Sequence, residues 1–174
     1  MSQIEDIFQQ LTLQMLGLDP AEPANQSRVR VSWPTKGQPA WKIQDNVAFL
    51  MVHFDDDPIT QQMHTSYDEK DADTADRSQT YTRVIRVGWT CYGPSSSDDT
   101  DLIRAKLFVP PYTETLTANN ISLIMDVPVP IRAPELYNGQ WWERSTFYAR
   151  FNEKVIRSAD VPYIQSAEVQ IKKG

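Results

Sequence analysis

The first residues of the chain carry apolar side chains at helical spacing. Ser2 and Glu5 form a capping box, in which each side chain binds a backbone N–H group at the start of a helix. Gly17 stands where helices commonly end, because glycine readily adopts the left-handed conformation found there. The sequence therefore predicts an amphipathic helix over residues 2–16. Its apolar stripe consists of Ile4, Ile7, Phe8, Leu11 and Met15.

Most other hydrophobic residues follow patterns typical of β-strands. Residues 46–54 form a nearly continuous apolar run, as expected of a strand covered on both faces, and residues 80–93 alternate. Further strands are predicted at residues 28–33, 121–126, 141–155 and 164–173, and helices at about 97–109 and 111–118. This order predicts an α+β fold, with helices packed on one face of a mainly antiparallel or mixed sheet. At 174 residues the chain is expected to form a single domain, residues 1–174.

Residues 55–79 lack a clear hydrophobic pattern. Segments of this length without regular structure are uncommon in compact domains, and polar composition favours disorder, so we expect a mobile acidic loop. The whole chain carries a net charge of −6. The stretch from Asp55 to Asp76 holds eight of its 23 acids and one of its 17 bases, a net charge of −7. The acids are Asp55, Asp56, Asp57, Asp68, Glu69, Asp71, Asp73 and Asp76.

Two adjacent tryptophans, Trp141 and Trp142, begin the longest predicted strand. Neighbouring side chains of a strand point to opposite faces, so the two cannot share one core. The face of Trp141 also carries Glu143, Ser145, Phe147, Ala149 and Phe151, and we expect the helices to cover it. The other face has the Trp, Arg and Tyr composition of a protein contact surface. The candidate subunit or partner interface is therefore Trp142, Arg144, Tyr148 and Arg150.

The sequence offers little to support catalysis or cofactor binding. His53 and His64 are isolated, no cysteine pair accompanies them, and the aspartates at 71, 73 and 76 lack the glycine and glutamate of a calcium loop. No glycine-rich phosphate loop, nucleophile elbow or general basic patch for nucleic acid is present. We therefore expect no catalytic residues, no cofactor and no metal. The one cysteine, Cys91, is expected to be a buried thiol in a protein made in a reducing cytoplasm, and no apolar run is long enough to span a membrane.

Three stretches together resemble one known family. They are DNVAFLMVHFDDDPITQQ at residues 45–62, YTRVIRVGWTCYGPSSSDDTDLIRAKLF at 81–108, and VPVPIRAPELYNGQWWERSTFYARFNEKV at 127–155. As an ordered set they resemble the neck-terminator or tail-terminator (tail completion) proteins of tailed bacteriophages. The similarity runs from about Asp45 to Ile171, and the N-terminal helix lies outside it.

The resemblance implies a tail-terminator-like fold and a structural virion protein rather than an enzyme. Such proteins form a ring, typically of six subunits, at the head-proximal end of the tail tube. The ring ends tube growth and offers a docking surface to the head and neck. The implied partners are copies of the chain itself, the tail tube protein, a head-completion or connector protein, and the sheath protein if the tail is contractile. DNA would only pass through the lumen, and no membrane is involved. The implied location is the tail or neck of the virion, after assembly in the host cytoplasm.

Other interpretations remain open from the sequence. The chain could form a head-completion or adaptor ring of the neck instead of the last ring of the tail. An aromatic-rich carbohydrate-binding or protein-binding module would also carry five tryptophans and no catalytic set. The acidic segment would either line a channel, where negative charge repels DNA phosphates, or become ordered against a neighbouring ring.

Overall fold

The computed structural model of the chain describes residues 2–32, 37, 40–71 and 73–162. Its helices are α1 (Ser2–Met15), α2 (Pro23–Gln26), α3 (Ser96–Lys106) and α4 (Tyr112–Ala118), with a 3-10 helix at Pro58–Gln61. Its strands are β1 (Val29–Val31), β2 (Val47–Phe54), β3 (Met63–Glu69), β4 (Thr74–Tyr92), β5 (Ile121–Leu123), β6 (Ile131–Arg132), β7 (Glu135–Tyr137), β8 (Gln140–Trp142) and β9 (Arg144–Pro162). The predicted strand at 164–173 lies outside the described residues.

Seven strands form one mixed sheet. Its main path is β1-β2-β4-β9-β5, while β3 pairs with β4 and β6 pairs with β9. The β1–β2 pair is parallel, and the other pairs of this sheet are antiparallel. Strands β7 and β8 form a separate two-stranded hairpin. The predicted α+β class with a mainly antiparallel or mixed sheet is confirmed.

The hydrophobic core lies between the helices and one face of this sheet. Phe8 of α1 is fully buried and its ring centroid lies 4.8 Å from that of Phe151. Trp89, also fully buried, stacks on Phe147 at 4.9 Å and donates a hydrogen bond from its indole Nε1 to the hydroxyl of Thr12 at 3.0 Å. The expected stripe of α1 and the expected core face of residues 145–151 are therefore confirmed. Alternation with period two places every second side chain of this part of β9 in the core.

The prediction for the tryptophan pair is wrong. The long strand starts at Arg144 rather than at Trp141, because Gln140–Trp142 pairs with Glu135–Tyr137 in the β7–β8 hairpin. A two-residue turn at Asn138-Gly139, both at positive φ, closes that hairpin as expected of an Asn-Gly sequence. Trp141 is 67 % exposed and the Glu143 side chain is 44 % exposed, so the helices cover neither. Trp142 is the partly buried one.

The prediction of a loop over residues 55–79 is also wrong. The segment contains the 3-10 helix, all of β3 and the first residues of β4. Strand β3 pairs with β4 from Met63↔Tyr81 to Glu69↔Ala75, and β4 continues along β9 to Thr74↔Pro162. These polar strands are held by backbone pairing. Because backbone pairing requires no hydrophobic pattern, the sequence shows no sign of them. The mobility expected for the segment stays a prediction.

Strands β4 and β9, each 19 residues long, serve two different regions. Their halves near Trp89 and Phe147 belong to the helix-covered part of the molecule, which we call the body. Their other halves join β3 in a three-stranded extension that we call the arm, comprising residues 63–69, 74–82 and 154–162. Nine extended residues of β4 reach about 30 Å. Among these three described segments only Ala75 is buried.

Candidate subunit interface

The body leaves the sheet face opposite the helices without a helical layer in the described part of the chain; we call it the open face. It presents Arg86 and Tyr92 of β4 beside Arg144, Tyr148 and Arg150 of β9. The guanidinium of Arg86 lies 4.9 Å from the ring centroid of Tyr148, and Tyr148 is 44 % exposed. The open face is therefore an aromatic and cationic surface that continues across two strands.

Carboxylates partly neutralise the arginines of the open face. Arg86 Nη2 lies 2.8 Å from Asp55 Oδ2. Arg150 lies 2.6 Å from Asp126 Oδ2 and 3.5 Å from Asp57 Oδ2, and the Asp126 contact raises the pKa of Arg150. These side chains are only partly buried, so each pair contributes at most about 1 kcal/mol to stability. The network orients the arginines without removing them from the surface.

The structure places the four predicted interface residues in one region but on two elements. Arg144, Tyr148 and Arg150 share the open face of β9. Trp142 belongs to the β7–β8 hairpin at one end of this face, where it packs edge-on against Trp41 at 6.0 Å and Tyr137 at 6.0 Å. These four residues stay a predicted interface.

An aromatic pocket of about 460 Å³ opens at that end of the open face. Glu135 accepts hydrogen bonds there from the Tyr92 hydroxyl at 2.9 Å and from Arg144 Nη1 at 3.0 Å. Burial, and then the hydrogen bond to Glu135, raises the pKa of Tyr92. The pocket is lined by Ala40, Trp41, Tyr92, Glu135, Tyr137 and Trp142.

Hydrogen-bond donors on this side of the body are buried without acceptors. Among the described residues they are the indole Nε1 atoms of Trp41 and Trp142 and the Nε atoms of Arg86 and Arg144. A buried polar group without a partner costs free energy, and such groups are rare in complete structures. Because these four atoms are enclosed by the chain itself, a docking partner could not reach them without a rearrangement of the surface.

The two faces of the arm differ in chemistry. On one face three serines lie side by side across the strands, Ser66↔Ser78↔Ser158, and three aspartates lie beside them, Asp68↔Asp76↔Asp160. We call this the hydroxyl face; alternation makes it continuous with the open face of the body. The opposite face carries larger apolar side chains. They include Met63, Tyr67, Tyr81, Val155 and Val161.

The predicted acidic residues fall into separate groups. Asp55 and Asp57 form the ion pairs of the body described above. Asp68 and Asp76 share the hydroxyl face of the arm, whereas Glu69 lies on the opposite face, level with Ala75. Asp56 lies between the two ion-paired residues in the chain, and Asp73 lies at the tip of the arm.

Asp71 has a local structural role at that tip. Its carboxylate accepts hydrogen bonds from the hydroxyl and N–H of Thr74 and from the N–H of Asp73. These bonds lower the pKa of Asp71, the Thr74 hydroxyl having the largest effect. The eight acids are therefore not one functional cluster.

Sequence reasoning missed several residues that the fold brings to these surfaces. Asp160 completes the aspartate row, and its Oδ2 lies 2.6 Å from Lys70 Nζ. Trp41 lines the aromatic pocket, and Arg86 stacks on Tyr148. The face of β4 that points away from the core has a mixed polar and apolar character, and this pattern could have identified Arg86 as a surface contact residue. Nothing local marks Asp160, because its neighbours come from distant strands.

Other chemistry is limited in the described residues. They contain no group of three or more His, Cys, Asp and Glu side chains arranged to hold a metal ion. Cys91 is fully buried, and burial raises the pKa of its thiol to about 12. Among the helices described, none is both long and apolar enough to cross a membrane.

A comparison with known protein families finds a match that covers nearly the whole chain. The family model described as "Phage neck terminator protein" matches residues 2–174, which include the N-terminal helix that the quoted stretches left out. A comparison with curated proteins finds no match. Because the family model spans nearly all of its 174 residues, the chain belongs to the phage neck terminator family.

Proposed function

We propose that this protein forms a ring, of six copies, at the head-proximal end of a phage tail tube. The ring ends tube growth and offers the surface on which the head and neck dock. Membership of the neck terminator family supports a structural role in the neck of the phage. The observation that carries the ring is the arm, three strands on which only Ala75 is buried among the described residues.

The exposed arm supports assembly into a ring. An isolated three-stranded sheet without a covered face is poorly stabilised, and its edges invite pairing with other chains. Head-to-tail contacts between identical copies would cover such surfaces, and a closed rotation leaves no copy with an unmatched side.

The hydroxyl face of the arm is suited to line the channel of this ring. Serine hydroxyls and aspartate carboxylates are well hydrated, and the carboxylates repel DNA phosphates. The row Asp68↔Asp76↔Asp160, in which Lys70 pairs with Asp160, would repeat around the axis as a belt with a net charge of about −2 per copy. DNA would then pass without binding. The open face, with Trp142, Arg144, Tyr148 and Arg150, would contact the neighbouring copy or the next protein of the neck.

Particles assembled without this protein test the function directly. Electron microscopy should show overlong tails and separate, DNA-filled heads. Tails of normal length that fail to join heads would overturn tube termination and favour an adaptor ring of the neck. Normal joined particles would overturn both, and binding of a sugar to the purified protein by calorimetry would then favour the carbohydrate-binding alternative.

Charge neutralisation separates a channel role from a docking role. The variant with Asp68→Asn, Asp76→Asn and Asp160→Asn should join heads normally but eject DNA poorly. The matched control removes three exposed charges on the helical side, through Asp98→Asn, Asp101→Asn and Glu114→Gln. Failure to join heads in the first variant alone would contradict the channel role and support docking.

A charged substitution tests the open face. Tyr148→Glu introduces a carboxylate into the proposed contact and should reduce head joining in a mixing assay at least tenfold. Leu102→Glu, on an exposed position of α3, is the control and should join normally. Equal joining by both variants would show that the open face is not a contact surface.

A further inference from the structure

The arm has two strand edges without a strand partner in the described residues. Strand β3 pairs with β4 only, which leaves its outer edge open. On the other side of the arm, β5 and Asn120 reach β9 only as far as Lys154, so its remaining residues up to Pro162 are also open. Both edges expose backbone N–H and C=O groups, which readily pair with another strand.

The hydrogen-bond pattern shows which groups point outwards. The N–H of Lys70 donates to the carbonyl of Thr74, so β3 residues of even number face β4 and Thr65 and Tyr67 face outwards. On β9 the even residues face outwards, since Lys154 N–H donates to Asn120 O and Arg150 O accepts from Ile124 N–H. The outward residues of the open β9 edge are Ile156, Ser158 and Asp160.

The two edges are complementary in direction. Strands β3 and β9 are each antiparallel to β4, so they run parallel to each other. Rotation about a ring axis keeps that direction, and it would bring β3 of one copy beside β9 of the next copy. In a parallel pair, an outward residue such as Thr65 forms its two backbone hydrogen bonds with the residues before and after the one directly opposite it. With Arg157 as that partner, these would be Ile156 and Ser158, and the hydroxyl face would continue across the junction.

We propose that β3 of each copy pairs in parallel with the distal part of β9 of the next copy, so that the arms close into one intermolecular β-barrel. The proposal rests on the proposed ring function and adds the contact that closes the ring. Six arms would supply 18 strands. At about 4.8 Å between strands and a tilt of about 40°, they enclose a backbone diameter of about 36 Å. Side chains take about 5 Å from each wall, half the spacing of packed sheets, which leaves a channel for DNA.

Engineered disulfides test this pairing. Ser66 and Ser158 lie in one row with β4 between them, about 9.6 Å apart at two strand spacings. This distance exceeds the limit of about 7 Å for a disulfide within one copy, but neighbouring copies in the barrel would bring the two positions into range. Three separate variants combine Ser66→Cys with Ile156→Cys, Ser158→Cys or Asp160→Cys, so that different staggers between neighbouring copies are tested.

The variants are first assembled under reducing conditions, with tail tubes added where rings do not form alone, and rings are counted by electron microscopy. Oxidation should then convert at least half of one variant into a covalent ladder ending at six copies, which reductant reverses. The matched control combines Ser78→Cys with Ser158→Cys, which face each other on adjacent strands of one copy. It should give only monomers that carry an internal disulfide. The native Cys91 is buried and should not contribute.

The possible outcomes separate the two proposals. Rings that form without a ladder in any of the three variants overturn the edge pairing and leave the ring function standing. Absence of rings even on tail tubes overturns the ring function, and the pairing with it. A fourth variant combines Ser66→Cys with Ser166→Cys. A disulfide within one copy of that variant would show that the chain's own C-terminal segment occupies the β3 edge, which also overturns the pairing.

A proline variant gives a second readout. Thr65→Pro removes one outward N–H of β3 and is compatible with an edge strand, so the single copy should still fold. It should reduce ring formation at least tenfold, whereas Thr65→Val should not. Equal ring yields from the proline and valine variants would contradict pairing through this edge.

Discussion

The body and the arm are built from the same two strands but are held together differently. In the body, β4 and β9 bury Trp89, Phe147 and Phe151 under α1, and stability comes from removing apolar surface from water. In the arm, the same strands bury only Ala75 among the described residues and are held mainly by backbone pairing with each other and with β3. The body therefore covers its own apolar surface, whereas the arm leaves its faces and edges to the neighbouring copies that we propose.

The largest expected effect of a single substitution lies in the body. Phe8→Ala removes a ring that is fully buried against Trp89 and Phe151, and should lower the free energy of unfolding by about 3–5 kcal/mol. Denaturant unfolding measures the change. Tyr67→Ala in the arm, where the ring is 63 % exposed, is the control and should change stability by less than about 0.5 kcal/mol. Equal losses would mean that the arm is also a packed core.

A buried hydrogen bond gives the next largest effect. Thr12→Val removes the acceptor of the Trp89 indole N–H, which lies 3.0 Å from the threonine hydroxyl. Leaving this donor unpaired in the core should cost about 1–3 kcal/mol in the free energy of unfolding. Thr117→Val, at an exposed hydroxyl of α4 that bonds to Thr113, should cost less than about 0.5 kcal/mol. An unchanged unfolding midpoint for Thr12→Val would contradict this interpretation of the contact.

The body should lose stability at high pH. Burial raises the pKa of the Cys91 thiol from 9.0 to about 12. The folded state then keeps the proton while the unfolded chain releases it, so the free energy of unfolding falls as pH rises above about 9. The slope from this group approaches about 1.4 kcal/mol per pH unit, and Cys91→Ala should remove that part of the slope. Identical slopes for the two proteins between about pH 9 and 11 would refute the assignment.

The tip of the arm should respond to acid, with the smallest effect on the molecule as a whole. Hydrogen bonds from Thr74 and Asp73 lower the pKa of the exposed Asp71 carboxylate. Their contribution is present above the ordinary pKa of aspartate and is lost as pH falls through the lowered value. As pH falls through that range, hydrogen exchange at the Asp73 and Thr74 amides should therefore become faster than the ordinary pH dependence of amide exchange accounts for. Asp71→Ala should remove this excess and Asp56→Ala should keep it; the opposite pattern would place the effect elsewhere.

Local sequence patterns were sufficient to predict the body. Period-two alternation assigned Ser145, Phe147, Ala149 and Phe151 to one buried face, and helical spacing assigned the stripe of α1. Both patterns indicate which side chains are removed from water by the chain's own helices and strands. The α+β class follows from the order of these elements. The same alternation placed Arg144, Tyr148 and Arg150 together on the other face.

The arm and the tryptophan pair depend instead on contacts between distant parts of the chain. Residues 63–69 became a strand because β4 extends beside them, and backbone pairing leaves no hydrophobic pattern in the sequence. The separation of Trp142 from β9 depends on pairing with Glu135, which local periodicity cannot report. The aspartate row depends on register, since Asp68, Asp76 and Asp160 are neighbours only across strands. Local patterns record burial, whereas cross-strand neighbours are set by long-range pairing that only the folded chain reveals.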